Sequence, residues 1–185
     1  MKLYILRHEE RFESPEFYTE LTENGINNSI LLKDILEKER IDSIYSSPFI
    51  RVLQTVRPYC DYKNIKINID YSLYETMYDT RYFKKTEYPI DLFDNKLLYL
   101  KNTKYISSIP ITDIKCPESK NNVKIRITQF VTKLIENYQN TDNNILIASH
   151  AATLKPLVNI DKEYPLGGLT KIYENKDFIY KPINY

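Results

Sequence analysis

Glycine is scarce in this chain, which has only Gly25, Gly167 and Gly168 among its 185 residues. The Walker phosphate loop and the dinucleotide-binding fingerprint each need several glycines at fixed spacing, because the backbone must approach phosphate groups closely. The glycines of this chain do not have that spacing. The sequence therefore excludes both kinds of nucleotide-binding loop.

The chain also lacks a strong charge of either sign and a long apolar run. Its 26 Lys and Arg nearly balance 25 Asp and Glu, giving a formal net charge of +1, so no overall field attracts nucleic acid or membranes. No apolar run reaches the ~18 residues of a membrane span, and Arg7 interrupts the first run too early for a signal peptide. We expect a cytoplasmic, soluble protein without nucleic-acid or membrane partners.

Cysteine is equally rare. Cys60 and Cys116 do not have the spacing of a zinc site, and a chain of this length does not need a disulfide to fold, so we expect both thiols to be reduced. The length suits one domain spanning residues 1–185.

Short apolar runs alternate with segments of helical periodicity along the chain, which predicts an α/β fold with a mostly parallel central sheet and helices on both faces, in three layers. Strands are predicted in "KLYIL", "IDSIYSSP", "NIKINID" and "NILIAS", and a hairpin in "LTKIYENKDFIYKPI" with Asn175 and Asp177 around its turn. Residues 76–116 show no period and are interpreted as a small irregular insertion or lid.

Three segments have the pattern of helices. The first places Ile26, Ile30, Leu31, Ile35 and Leu36 at helical spacing. The second is predicted to start at Ser47 and Pro48, where serine caps free amides and proline tolerates the first turn, and to end near Pro58. The third begins at Ser119, and its apolar residues lie on one face: Val123, Ile127, Phe130, Val131, Leu134 and Ile135.

The two histidines of the chain follow two of the predicted strands directly, in "KLYILRH" and "NILIASH". Ligands of parallel α/β sheets bind beyond the carboxyl ends of the strands. Arg7 precedes His8, and Arg51 lies one turn into the helix after the second strand. We therefore expect one sheet edge to collect His8, His150, Arg7 and Arg51.

These residue types suit a phosphoryl group. The planar guanidinium of arginine binds phosphate oxygens in pairs, and helix N-termini add backbone donors. A neutral imidazole can attack phosphorus, and nearby guanidinium groups lower its pKa, while a second histidine can bind a phosphoryl oxygen. Either histidine alone is more often structural; the pair with two arginines indicates a site for phosphoryl transfer.

The same residues resemble the histidine phosphatase superfamily, also called phosphoglycerate mutase-like, and its phosphatase branch. The resemblance runs in order through nearly the whole chain. It is carried by "LRHEE", "LTENG", "SSPFIRVLQT", "LYE" at 73–75, "PES" at 117–119 with Arg126 after it, and "LIASHAATLKPLV".

The resemblance implies roles for individual residues. His8 is the expected nucleophile, which forms a phosphohistidine, and Arg7, Arg51 and His150 are expected to bind the phosphate. Glu75 is the expected proton donor to the leaving oxygen and then the base for water. That role requires a carboxyl protonated at first, which we expect from burial near another carboxylate. No metal and no cofactor are implied.

Three positions depart from the family pattern. Glu9 replaces the glycine after the nucleophile and brings a bulky carboxylate where relatives keep room near the phosphate. Ser14 stands where many members carry asparagine, and Ala151 replaces the glycine after the second histidine. Ser14 and Ala151 are retained as candidate phosphate contacts.

The leading hypothesis is a metal-independent phosphatase that acts on a small phosphorylated metabolite or a phosphoprotein. The alternatives are a phosphoglycerate-type mutase and, because of Glu9 and the missing asparagine, a catalytically weak protein that binds phosphorylated ligands. A phosphoprotein substrate would meet the basic, tyrosine-rich stretch around Arg81, Lys84 and Lys85, which is otherwise a solvated surface.

Overall fold

The computed structural model describes residues 1–77, 103–113, 116–158 and 164–183. Most of the predicted insertion or lid at 76–116 lies outside the described residues, including Arg81, Lys84 and Lys85. Within the described part of the chain, no helix is long and apolar enough to span a membrane.

The described strands form one sheet of seven. They are β1 (Lys2–Arg7), β2 (Ser43–Ser46), β3 (Ile67–Ile69), β4 (Thr103–Tyr105), β5 (Asn144–Ser149), β6 (Leu169–Glu174) and β7 (Asp177–Ile183), in the order β4-β3-β2-β5-β1-β6-β7. Pairing is parallel from β4 to β1 and antiparallel for β6 and β7. The predicted mostly parallel sheet is confirmed.

Helices cover both faces of the sheet. They are α1 (Glu23–Lys38), α2 (Ile50–Lys63), α3 (Lys120–Tyr138) and the short α4 (Ala151–Leu154). Because side chains of a strand alternate between faces, Tyr4 and Leu6 of β1 pack with α1 and α2, whereas Leu3 and Ile5 pack with α3. The predicted three layers are thus present.

The core face of α1 differs from the predicted one. Ile26, Ile30 and Leu31 are 36%, 50% and 63% exposed, whereas the helix buries Gly25, Ser29, Leu32 and Leu36. The reason is close packing at the start of the helix, where a Cβ atom on Gly25 would lie 2.1 Å from the carbonyl oxygen of Glu10. Small residues therefore face inward in the first half of the helix, and Leu32 and Leu36 are buried in its second half.

Helix α2 also departs from its predicted ends. Its N-cap is Phe49, without a side-chain cap bond, and it continues beyond Pro58 to Lys63. Proline removes one backbone hydrogen bond from a helix, but the turn after it is anchored by Tyr59 and Cys60, which are buried. Packing of the last turn therefore outweighs the local signal of the proline.

The C-terminal hairpin and the stretch 76–116 can also be compared with their predictions. The hairpin of β6 and β7 is confirmed, with Asn175 and Lys176 at φ 55° and 69°, the left-handed values that a tight two-residue hairpin turn requires. The irregular stretch predicted at 76–116 contains a strand, β4, which pairs in parallel with β3. Three residues are too few to show a period in sequence.

The contact at Gly25 leads to a stability prediction. Gly25→Ala should lower the free energy of unfolding by about 1–3 kcal/mol, the usual cost of overpacking, although alanine is the better helix former. Urea unfolding measures this difference. Asn27→Ala, at an exposed position of the same helix, is the matched control and should lose nothing; equal stability of the two variants would contradict the steric account.

Candidate active site

Parallel pairing of β1 with β5 brings the two histidines together. Arg7 is in register with Ser149, and the amide of His8 donates to the carbonyl oxygen of Ser149 at 3.1 Å. The imidazole rings of His8 and His150 lie with centroids 5.3 Å apart, and both side chains are buried. The two histidines therefore share one edge of the sheet, as the sequence indicated.

The ring of His8 is oriented by the backbone that follows it. Its Nδ1 lies 2.7 Å from the carbonyl oxygen of Glu9, and only a protonated nitrogen can donate to a carbonyl, so Nε2 keeps its lone pair. Burial, followed by the charges of His150 and Arg51, holds the pKa of His8 well below its usual value. The ring is thus neutral, with Nε2 as its unprotonated nitrogen.

His150 is held from both sides. Its Nδ1 lies 3.1 Å from Oε2 of Glu75, and its Nε2 lies 2.9 Å from the Ser47 hydroxyl. With Nδ1 donating to the carboxylate, Nε2 of the neutral ring accepts from Ser47. Burial lowers the pKa of His150 to about 4, although the negative charge of Glu75 acts to raise it. Ser47, predicted as a helix cap, binds the second histidine instead.

Arg51 is the central cation of the site. It is fully buried, its Nη1 donates to the carbonyl oxygen of Glu16 at 2.8 Å, and its Nη2 donates to Oε2 of Glu75 at 3.3 Å. Its buried Nε has no hydrogen-bond acceptor within the part of the chain that the structure describes. Burial lowers the pKa of Arg51 to about 10, so it remains charged and offers a donor to an anion.

Glu75 occupies the space between these groups as a carboxylate. Burial by itself would raise its pKa, but His150 and Arg51 lower it below its usual range. The predicted role of Glu75 requires another carboxylate nearby and a raised pKa. The structure corrects this, because the contacts of Glu75 are with a histidine and an arginine.

The other predicted site residues are Arg7, Ala151 and Ser14. Arg7 ends β1, and its Nη1 donates to the carbonyl oxygen of Tyr164 at 2.5 Å. Ala151 is the first residue of α4, directly after His150. Ser14 is exposed, and its hydroxyl accepts from the amide of Glu16 in its own loop at 3.4 Å. The contacts of Ser14 thus stay within the loop.

Arg11 is a cation that the sequence argument missed. Its Nη1 donates to the carbonyl oxygens of residues 12, 13 and 14. Burial lowers the pKa of Arg11, the negative charge of Glu75 acts to raise it, and the positive charge of Arg7 lowers it further. Arg11 in turn lowers the pKa of Arg51. A third guanidinium therefore acts on the site. The available signal was an arginine three residues after His8 in the same loop.

The two glutamates after His8 contact the neighbouring helix. Oε2 of Glu9 lies 3.4 Å from the side-chain amide of Asn28 in α1, while Glu10 accepts from Thr22 and Asn24 at the start of α1. The backbone of Glu9 carries the contact to His8. Replacement of the family glycine thus places a carboxylate against α1.

Three of these groups are also metal-ligand types. One atom each of His8, Glu75 and His150 lies within 4.8 Å of the others. However, Nη2 of Arg51 is 3.3 Å from both Oε2 of Glu75 and Nδ1 of His150. A fixed positive charge at that distance opposes a metal cation and favours an anion. The arrangement suits a phosphate group better than a metal.

Comparison with known families identifies the group to which this site belongs. Residues 3–174 match the model of the histidine phosphatase superfamily (branch 1). The chain belongs to this superfamily. Membership confirms the resemblance seen in the sequence and supports the predicted class of enzyme, a phosphoric monoester hydrolase.

Solved structures share the fold of this histidine phosphatase. A variant of phosphoserine phosphatase from Entamoeba histolytica, solved with phosphoserine, is 20% identical, with a TM-score of 0.65 and coverage of 97% of this chain and 94% of that one. Mycobacterial glucosyl-3-phosphoglycerate phosphatase, complexed with VO3, is 17% identical, with a TM-score of 0.68 and coverage of 98% and 96%.

The ecdysone phosphate phosphatase of Bombyx mori, solved with tungstate, is 13% identical, with a TM-score of 0.67 and coverage of 100% of this chain and 92% of that one. At these identities the likeness establishes a common fold. No curated protein sequence matches the chain.

The unpaired Nε of Arg51 leads to a prediction about anion binding. Inorganic phosphate should bind the protein, and Arg51→Met should weaken binding by about 10–100-fold, the loss of charge-assisted hydrogen bonds worth about 1.5–3 kcal/mol. Isothermal titration calorimetry measures both affinities. Arg57→Met, on the same helix but with its side chain paired to Asp61, is the control and should bind normally; equal weakening would argue against a local phosphate pocket.

Proposed function

We propose that this protein is a metal-independent phosphatase that hydrolyses a phosphomonoester through a phosphohistidine on His8. The observation that carries the proposal is the neutral His8 ring beside a buried guanidinium. Nε2 of His8 is left unprotonated by the bond from Nδ1 to Glu9, and Arg51 has a buried N–H without an acceptor in the described chain. A nucleophile and an anion-binding group therefore stand side by side.

In the first step the phosphoryl group of the substrate is held by Arg51, Arg7 and Arg11, and by His150 through Nδ1–H. Nε2 of His8 attacks phosphorus, the N–P bond forms, and the ester P–O bond breaks with its electron pair on the leaving oxygen. Positioning and compensation of charge supply most of the acceleration in such transfers. The guanidinium groups provide the positive charge, so no metal is needed.

Glu75 supplies the proton that the leaving oxygen takes. Before substrate binds, its carboxylate accepts from Arg51 and His150, which are the donors that phosphate oxygens require. The phosphate displaces Glu75 from both donors. Without these contacts burial dominates and raises the pKa of Glu75, so the carboxyl takes up a proton from solvent and can donate it.

Hydrolysis of the phosphohistidine then restores the enzyme. Water attacks phosphorus, Glu75 accepts a proton from the water, and the N–P bond breaks with its electron pair on Nε2 of His8. The proton lost from Glu75 in the first step is thereby recovered. Inorganic phosphate leaves, Glu75 releases its proton to solvent, and the carboxylate returns to Arg51 and His150.

We propose a small phosphorylated metabolite as the substrate. Support comes from relatives of the same fold that are named as phosphatases of small molecules, such as phosphoserine and glucosyl-3-phosphoglycerate. The alternative of a weak binding protein depends on Glu9 and on the missing asparagine, and the contact of the Glu9 carboxylate with Asn28 argues against the first of these grounds. Phosphoprotein hydrolysis and a mutase reaction become outcomes of the tests, and a cytoplasmic location stays a prediction.

The first test concerns His8. Phosphate release from a panel of phosphomonoesters, with a chelator and no added metal, should fall by at least about 10³-fold in His8→Ala, because the variant lacks the proposed nucleophile. The variant should keep the circular dichroism spectrum of the wild type. Labelled phosphate should be trapped on the wild-type protein and not on the variant.

Activity retained by His8→Ala would overturn the nucleophile assignment. Transfer of phosphate to a second position of the substrate, without release, would identify a mutase. Release from phosphopeptides alone would identify a phosphoprotein phosphatase.

The second test concerns Glu75. Glu75→Gln removes the proton donor, so hydrolysis of an alkyl phosphate, with its basic leaving oxygen, should slow by about 10²–10⁴-fold. p-Nitrophenyl phosphate has a leaving group that needs little protonation and should slow far less. The measurement is kcat for both esters at one pH. Equal slowing would assign the proton donor elsewhere, with Glu9 and Glu10 the first residues to replace.

A further inference from the structure

The segment that carries Glu75 belongs to no strand of the sheet. It follows β3 and a 3₁₀ turn at Tyr71–Leu73, and its backbone is held by buried side chains instead of a neighbouring strand. Ser72, Leu73 and Tyr74 each accept a bond at their carbonyl oxygen, from Arg126 at 2.6 Å, Ser149 at 2.6 Å and Thr153 at 2.7 Å, respectively. The position of Glu75 therefore depends on these donors.

One ion pair contacts both ends of this segment. Nη1 of Arg126 donates to the carbonyl oxygen of Ser72, before Glu75. The backbone amide of Glu118 donates to the carbonyl oxygen of Met77, after Glu75, at 2.8 Å. Glu75 lies between the two contacts, so the pair fixes the path of the chain on both sides of the carboxylate.

The pair itself is rigid. Nε and Nη2 of Arg126 donate to the two carboxylate oxygens of Glu118 at 2.7 and 2.8 Å, the fork geometry that holds both groups in one plane. Glu118 is 5% and Arg126 7% exposed. Each of the three guanidinium nitrogens of Arg126 donates at least one hydrogen bond within the protein, which suits the pair to holding protein segments in place.

A buried ion pair is a poor device for stability alone, because desolvation of the two charges offsets much of their attraction. Its directional bonds, in contrast, specify one geometry. We propose that Glu118 and Arg126 are positioning residues for the proton-transfer step, which keep Glu75 within reach of the leaving oxygen. This inference rests on the proposed function, in which Glu75 is the proton donor.

The test compares leaving groups in four proteins: wild type, Arg126→Met, Glu75→Gln and the double variant. Arg126→Met should lower kcat for an alkyl phosphate at least tenfold, while kcat for p-nitrophenyl phosphate falls less than threefold and KM changes less than twofold. In the Glu75→Gln background, Arg126→Met should cause no further selective loss, because residues that act through one group are not additive.

Tyr59→Phe is the matched control. It removes another buried hydrogen bond from a side chain to a backbone carbonyl, that of Ile41 at 2.7 Å, which joins α2 to the residues before β2. It should lower the melting temperature without changing the ratio of the two kcat values. Glu118→Gln keeps the shape of the side chain and should show the same selective loss as Arg126→Met. If Arg126→Met does not fold, Glu118→Gln replaces it in the comparison.

The outcomes separate this inference from the proposed function. If Glu75→Gln is selective for the alkyl ester but the Arg126 and Glu118 variants slow both esters equally, the pair is structural and only this inference is overturned. Selective loss that adds to that of Glu75→Gln overturns it as well. If Glu75→Gln itself is not selective, the proton-donor assignment is wrong and this inference is overturned with it.

Discussion

The parallel pairing of β1 with β5 is the constraint on which the site depends. The ladder ends with Arg7 opposite Ser149, and each strand is followed at once by a histidine. Side chains alternate along a strand, so a slip of one residue would turn every side chain of β1 to the opposite face of the sheet. The buried faces of β1 prevent this, because Tyr4 and Leu6 fit one core and Leu3 and Ile5 the other. Packing of the core thus fixes the 5.3 Å separation of the two rings.

The second constraint is charge. Arg51 is fully buried, and a buried guanidinium needs acceptors for its donors. Without ligand it has the carbonyl oxygen of Glu16 and the carboxylate of Glu75, while Arg7 and Arg11 add positive charge around it. Within the described residues, Glu75 is the carboxylate that pairs with Arg51. The phosphate dianion that we propose as ligand would add negative charge beside these guanidinium groups, which gives a physical reason why this edge of the sheet suits an anion.

Local patterns in the sequence predicted what depends on local structure. Strands that end on His8 and His150 and the alternation of strands with helices were enough for the sheet and the shared edge. Contacts that depend on tertiary packing could not be predicted from the sequence. The inward face of α1 depends on the close approach of Gly25 to Glu10, and a hydrophobic pattern in the sequence does not show such a contact. Ser47 has the sequence signature of a helix cap, although it binds His150. Arg11 reaches the site through the path of a loop, and the low pKa of Glu75 depends on partners distant in sequence.

The groups proposed to act on the substrate are tied together by short connections around His150. Ser149, which precedes His150, binds the carbonyl oxygen of Leu73, and Thr153, three residues after it, binds that of Tyr74. The element that presents the second histidine therefore also holds the segment that presents Glu75. These two bonds couple the position of Glu75 to the end of β5, in addition to the contacts from Arg126 and Glu118. The β1–β5 ladder helps to set the distance from this unit to His8. In the proposed reaction the sheet would therefore set the distance from nucleophile to phosphorus, while the loop contacts would set that from acid to leaving group.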